Sequence, residues 1–285
     1  MTLANLSLAT SSALSPEGIR PDRSGPLKVH VLGHFRVLKD DEPVRFTRRA
    51  QRKPLELLQA LIAFGGNEVG ASALTDALWP DSEGDAAYHA LESALYRLRK
   101  LLGAQGAINM CGSKLSLDRR QFWVDLWQLE RELASPRGGE EEPMDRLTRI
   151  RRLYEGHFLE QESERPWALK TRQLLRDRLL ACIRETARGY ESRRRWPEAA
   201  LVYRSGLELD PLAEDLYRGL MICHRELGDY SDALQAYRRC RELLARILGV
   251  PPNAKTEAIH QSVRQCAQSG SSESGSSRAP ECARA

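Results

Sequence analysis

Apolar positions change period along this chain, and each change marks a different kind of element. Over residues 29–46, Val29, Val31, Phe35 and Val37 alternate with other residues, and Asp40, Asp41 and Pro43 supply turn chemistry. That pattern predicts two or three short antiparallel strands. The period then lengthens. Leu55, Leu58, Leu61 and Ile62 form a helical stripe behind Pro54, which a first turn tolerates, and Gly65 and Gly66 end it. A short helix over about 71–78 stops at Pro80. A longer one runs over 85–102, with Asp85 as N-cap and Gly103 as its stop. Alternation returns at 108–118, where two short runs flank Gly112 and Ser113 and predict a β-hairpin. Strands, three helices and a hairpin in that order describe a winged helix-turn-helix.

Residues 135–142 read Ser-Pro-Arg-Gly-Gly-Glu-Glu-Glu and form the best interior linker candidate. Past them the helical period persists and a repeat appears. Trp196, Ala199 and Tyr203 recur as Tyr230, Ala233 and Tyr237, an offset of 34 residues. That is the period of a tetratricopeptide helix pair, in which small alanines let helices approach and aromatics fill the gaps. The fold expected is mainly α: a winged helix with short β-strands and a wing hairpin, followed by a tetratricopeptide-like α-helical domain. The divisions expected are a disordered leader at 1–26, the winged helix at 27–120, the helical domain at 121–267 and a disordered, low-complexity tail at 268–285.

Composition narrows the function classes. The chain has 285 residues, 41% hydrophobic and 29% charged, enough apolar material for ordinary cores. Six cysteines are scattered without a Cys-x-x-Cys pair, which points to free thiols in a reducing compartment rather than a disulfide framework or zinc site. No basic segment precedes a long apolar run at the N-terminus, and no stretch is apolar enough to span a bilayer. The expected location is the cytoplasm, without membrane contact. No phosphate-binding loop and no catalytic constellation stand out, and His157, His224 and His260 occur singly. No cofactor, metal or enzymatic activity is expected.

The net charge of +4 does not by itself argue for nucleic acid, so its distribution matters. Residues 27–118 hold twelve Lys or Arg against eleven Asp or Glu, but five cations crowd into 45–53 and three into 97–100. On a wheel of the 85–102 helix, Ala87, Leu91, Leu95, Leu98 and Leu102 fall within about 40° of one line. The opposite face carries His89, Ser93, Tyr96, Arg97 and Lys100, residue types that bond base edges and phosphates. A short helix and turn precede this helix and a hairpin follows it, as a major-groove reader requires. Arg48, Arg49, Arg52 and Lys114 are the candidates for backbone positioning.

Two sets of motifs carry a resemblance. Leu74, Leu78, Trp79 and Pro80, with the run Tyr96-Arg97-Leu98-Arg99-Lys100-Leu101-Leu102-Gly103, resemble the DNA-binding half of the Streptomyces antibiotic regulatory proteins, itself similar to OmpR/PhoB-type domains. The wing departs from the response-regulator pattern, with Lys114-Leu115 where Gly-Tyr precedes a Leu. Further on, Leu153-Tyr154-Glu155-Gly156-His157-Phe158-Leu159, Trp167 and Leu209-Asp210-Pro211-Leu212 resemble the bacterial transcriptional activator domain. The resemblance implies a sequence-specific activator that binds double-stranded DNA, commonly as a homodimer, with a helical domain for dimerisation or contact with RNA polymerase. The competing reading is a protein-binding adaptor whose winged helix no longer binds DNA. Salt dependence separates them, because only a true DNA binder releases counterions.

Overall fold

The computed structural model describes residues 26–46, 51–135, 142–161 and 165–273. Residues 1–25 of the leader expected over 1–26 and residues 274–285 of the tail expected over 268–285 lie outside that range, as do residues 136–141 of the linker candidate.

The alternating segment folds into β1 (Leu27–His30), β2 (Arg36–Lys39) and β3 (Glu42–Pro43), paired antiparallel in sequence order. Leu27 and Val29 are buried while Lys28 and His30 lie partly open, as a two-residue period requires. Helix α1 (Arg52–Ala63) buries Leu57, Leu58, Leu61 and Ile62. A two-residue strand, β4 (Val69–Gly70), leads into α2 (Ala71–Leu78) and then α3 (Gly84–Leu102). Asp85 is not the N-cap of α3. Glu83 holds that place with extended backbone and no side-chain cap bond, and Asp85 sits in the first turn. There its charge faces the positive end of the helix dipole, which explains its placement without a cap. At the other end, Gly103 closes the helix at φ 61°, a left-handed conformation that favours glycine.

The expected hairpin is β5 (Ile108–Cys111) and β6 (Lys114–Leu117), with β4 added on the far side of β6. Strand β7 (Phe122–Val124) follows. It lies just past the boundary expected after residue 120, and it pairs in parallel with β1 to complete a sheet of order β3-β2-β1-β7.

Helices follow: α4 (Asp125–Ala134), α5 (Pro143–Leu153), α6 (Pro166–Glu191), α7 (Trp196–Leu209), α8 (Glu214–Leu227) and α9 (Tyr230–Leu243). A π-helical turn, Leu244–Leu248, then precedes α10 (Ala254–Glu273). The repeated residues head α7 and α9, with Ala199, Ala233, Tyr203 and Tyr237 buried. Between them, α7 and α8 approach so closely that a Cβ on Gly219 would lie 2.2 Å from the Tyr203 ring. Helix α10 runs six residues into the expected tail. Gly270 is the only strong helix breaker in 268–273 and proline comes no earlier than Pro280, so little there stops the helix.

The two halves meet in one core. Phe158, Leu159, Trp167, Ala168 and Leu175 pack in the same cluster as Val31, Leu32, Leu57 and Leu61. A second cluster fills α6–α9. At the junction the Gly33 N–H donates to the His157 carbonyl at 2.9 Å, and the Leu159 N–H to the Val31 carbonyl at 2.7 Å. Asp125, buried at the start of α4, accepts the N–H groups of Val31 (2.9 Å), Leu32 (3.0 Å) and Leu126 (2.7 Å). Burial outweighs those donors and pushes its pKa up to about 6.

Candidate nucleic-acid interface

Leucine spacing seats α3. Ala87, Leu91, Ala94, Leu95, Leu98 and Leu102 are buried, with α1 and α2 packed against the helix. This apolar face fixes which side remains for contact. His89, Ser93, Tyr96, Arg97 and Lys100 are all exposed, and Tyr96 keeps 67% of its surface open although it is a large aromatic. The structure therefore brings these five onto one open face of one helix. Among the described residues no carboxylate pairs with Arg97 or Lys100, so both charges are available to phosphates. His89 is different: its Nδ1 lies 3.4 Å from Glu92 Oε2 on the next turn.

Arg99, the third cation of the 97–100 cluster, points elsewhere. Its Nε and Nη2 donate to the Ile108 carbonyl at 3.2 and 2.8 Å. It fastens α3 to the first strand of the wing. The wheel could have suggested this, since Arg99 lies about 80° from the leucine line rather than opposite it.

The positioning candidates are not gathered in the same way. Arg48 and Arg49 lie outside the described residues. Arg52 donates to Glu56 Oε1 at 3.0 Å, and Glu56 is buried. Lys53 Nζ at 3.0 Å and Arg165 Nη2 at 2.6 Å complete a three-cation surround of that carboxylate. Arg52 thus serves a buried charge, although its side chain stays mostly open. Lys114 opens β6 and faces Glu68 Oε2 at 3.2 Å, both exposed. Ion pairs of this kind are weak in water, so phosphate can compete for the lysine. Glu56 was not legible as a site. It reads as an ordinary polar helix position until α6 covers it.

With this geometry in view, the matches to known proteins become interpretable. Residues 124–264 match the family described as the bacterial transcriptional activator domain. The chain carries a bacterial transcriptional activator domain. It is 28% identical over 271 residues to the regulatory protein AfsR of Streptomyces coelicolor, covering 88% of this chain and 26% of that protein. It is 27% identical over 252 residues to the transcriptional regulatory protein EmbR of Mycobacterium tuberculosis, covering 82% and 62%. The chain thus spans about a quarter of AfsR and less than two thirds of EmbR. Its fold matches a solved structure, Mycobacterium tuberculosis EmbR in complex with low affinity phosphopeptide, at a TM-score of 0.60. Identity there is 22%, over 88% of this chain and 69% of that one. A winged helix ahead of a tetratricopeptide-like activator domain is the architecture of the Streptomyces antibiotic regulatory type. The matched family and the named relatives are described as regulatory. Among the described residues no helix is long and apolar enough to cross a membrane.

Proposed function

We propose that this chain is a sequence-specific, DNA-binding transcription regulator of the activator kind, acting in the cytoplasm. Helix α3 enters the major groove of double-stranded DNA. Arg97 reads base edges, and His89, Ser93, Tyr96 and Lys100 contact bases or phosphates around it. Arg48, Arg49, Arg52 and Lys114 track the backbone. The winged half, residues 27–120, binds DNA. The helical half, residues 121–267, mediates dimerisation or contact with the transcription machinery, RNA polymerase included. The observation that carries this reading is the exposed polar face of α3, held out by a leucine face that is fully seated. The regulatory names of the relatives support it against the adaptor reading.

The test is duplex binding by the full chain. Genomic fragments selected on the chain are assayed by fluorescence anisotropy at several salt concentrations. Affinity should fall steeply with salt, and Arg97→Ala should cost about 1–3 kcal/mol and relax selectivity. Binding that ignores salt, or selectivity unchanged by Arg97→Ala, overturns the reading.

A further inference from the structure

Helices α7, α8 and α9 and the π-helical turn enclose a groove of about 1440 Å³. DNA recognition makes no use of it. Its walls follow the repeat. Tyr203, Arg204, Glu208 and Leu209 on α7 recur 34 residues later as Tyr237, Arg238, Glu242 and Leu243 on α9. The tyrosines are buried between helices, while both Arg–Glu pairs line the groove. Arg239 and Arg246 add two more cations.

Charge in the groove is unevenly compensated. Arg204, Arg238, Arg239 and Arg246 are exposed, and among the described residues none of them has a carboxylate partner. Glu208 is already neutralised from outside by Arg151 of α5, at 2.7 Å. That leaves Asp232 and Glu242 against four guanidinium groups. Leu207, Leu220 and Leu243 give the groove an apolar lining.

His224, buried at 4% exposure, lies in the same wall. Its Nε2 lies 3.0 Å from Arg204 Nη2. An arginine can only donate, so Nε2 keeps its lone pair and the ring proton sits on Nδ1. Nδ1 is buried without a hydrogen-bond acceptor, the nearest carboxylate being Asp229 at 3.8 Å. The ligand atoms of His224, Asp229 and Asp232 lie within 4.8 Å of one another, as a cation site would require. The protonated Nδ1 and the adjacent Arg204 charge oppose that reading. A groove with more guanidinium groups than carboxylates calls for an anionic ligand.

We propose that this groove docks an acidic, leucine-bearing peptide segment of a partner protein. Its carboxylates meet the arginine rows and its apolar side chains rest on the leucine lining. A polyphosphate backbone fits less well, since Asp232 and Glu242 repel an unbroken anionic strand and the leucines find no counterpart in it. The inference rests on the reading of the helical half as the protein-contact half.

The full chain is titrated against a fluorescein-labelled peptide of alternating Leu-Leu and Glu-Glu pairs, with a Leu-Lys counterpart as control. Duplex binding is measured on the same preparations. The acidic peptide should bind and the basic one should not. Arg238→Glu should weaken the acidic peptide at least about tenfold, and Glu242→Lys should strengthen it, with duplex affinity unchanged in both. Circular dichroism checks the fold of each variant, and Glu242→Lys carries the test alone if Arg238→Glu misfolds. Equal binding of both peptides, or an acidic-peptide affinity that neither variant moves, overturns the groove while leaving duplex recognition standing. Peptide binding without any duplex binding overturns the regulator reading and leaves the groove.

Discussion

Asp125→Ala tests the joint between the two halves. The substitution removes the acceptor for three buried backbone N–H groups, those of Val31, Leu32 and Leu126. Each orphaned donor costs about 1–3 kcal/mol, so the gross loss is roughly 3–9 kcal/mol. The wild type carries an opposing cost. Burial holds the Asp125 carboxyl at a pKa of about 6, against an ordinary 3.8, and keeping it ionised at neutral pH costs roughly 3 kcal/mol. The net loss expected at pH 7 is therefore roughly 0–6 kcal/mol, centred on about 3 kcal/mol. The pH dependence has a definite sign. In the native state the carboxyl takes up its proton near pH 6, whereas in the unfolded chain it waits until near 3.8. The native state binds more protons over that window, so this group's contribution to stability rises as pH falls and is lost as pH rises through about 6. Alanine has no such gain. The gap between wild type and variant should widen by about 1 kcal/mol from pH 7 to pH 5. Urea denaturation of both full chains at the two pH values, followed by circular dichroism, measures it. A gap that stays constant or narrows towards pH 5 refutes the account of Asp125 as a buried clasp.

Two further substitutions probe α3 and the repeat. Arg99→Ala removes both bonds to the Ile108 carbonyl and should cost about 1–3 kcal/mol in thermal unfolding. It should weaken duplex binding through a loosened wing while leaving base preference intact, as anisotropy on cognate and altered fragments would show. Gly219→Ala drives a methyl to 2.2 Å from the Tyr203 ring and should destabilise by about 1–3 kcal/mol, seen as a melting point lower by several degrees.

What could be read in advance depended on element length. Helix α3 announces itself through five leucine or alanine positions on one line, and the hairpin through Gly112 between two alternating runs. The repeat was visible because α7 and α9 place the same residues at the same helical positions. Strands β4 and β7, with two and three residues, are too short to show any period, and their pairing with β6 and β1 is a tertiary event. The site divides the same way. The open face of α3 follows from its own sequence. Arg52 and Glu56 stand four residues apart on α1, so their pairing is local, whereas the approach of Arg165 to Glu56 and of Glu68 to Lys114 depends on partners brought close by folding. Asp125 gave no signal either, since an acidic residue in a first helical turn is ordinary and only burial beneath β1 makes it unusual.

The shared core bears on any attempt to isolate the winged half. Phe158, Leu159, Trp167 and Leu175 are nearly inaccessible, and they pack in the cluster that holds the N-terminal sheet and α1. A fragment ending at residue 135 removes all four. At about 1.5–3 kcal/mol of burial per side chain, it forgoes roughly 6–12 kcal/mol of gross stabilisation. That is comparable with the whole stability of a typical domain, about 5–15 kcal/mol. It also strands Glu56, which keeps Arg52 and Lys53 but loses Arg165. The fragment should melt well below the intact chain and bind a hydrophobic dye that the intact chain excludes. The intact chain, by contrast, should lose the winged helix and α6 in one transition, since neither can open without exposing the other's apolar face. A fragment as stable as the full chain, with no dye binding, would show that the winged helix closes its own core and that the contact with α6 is incidental.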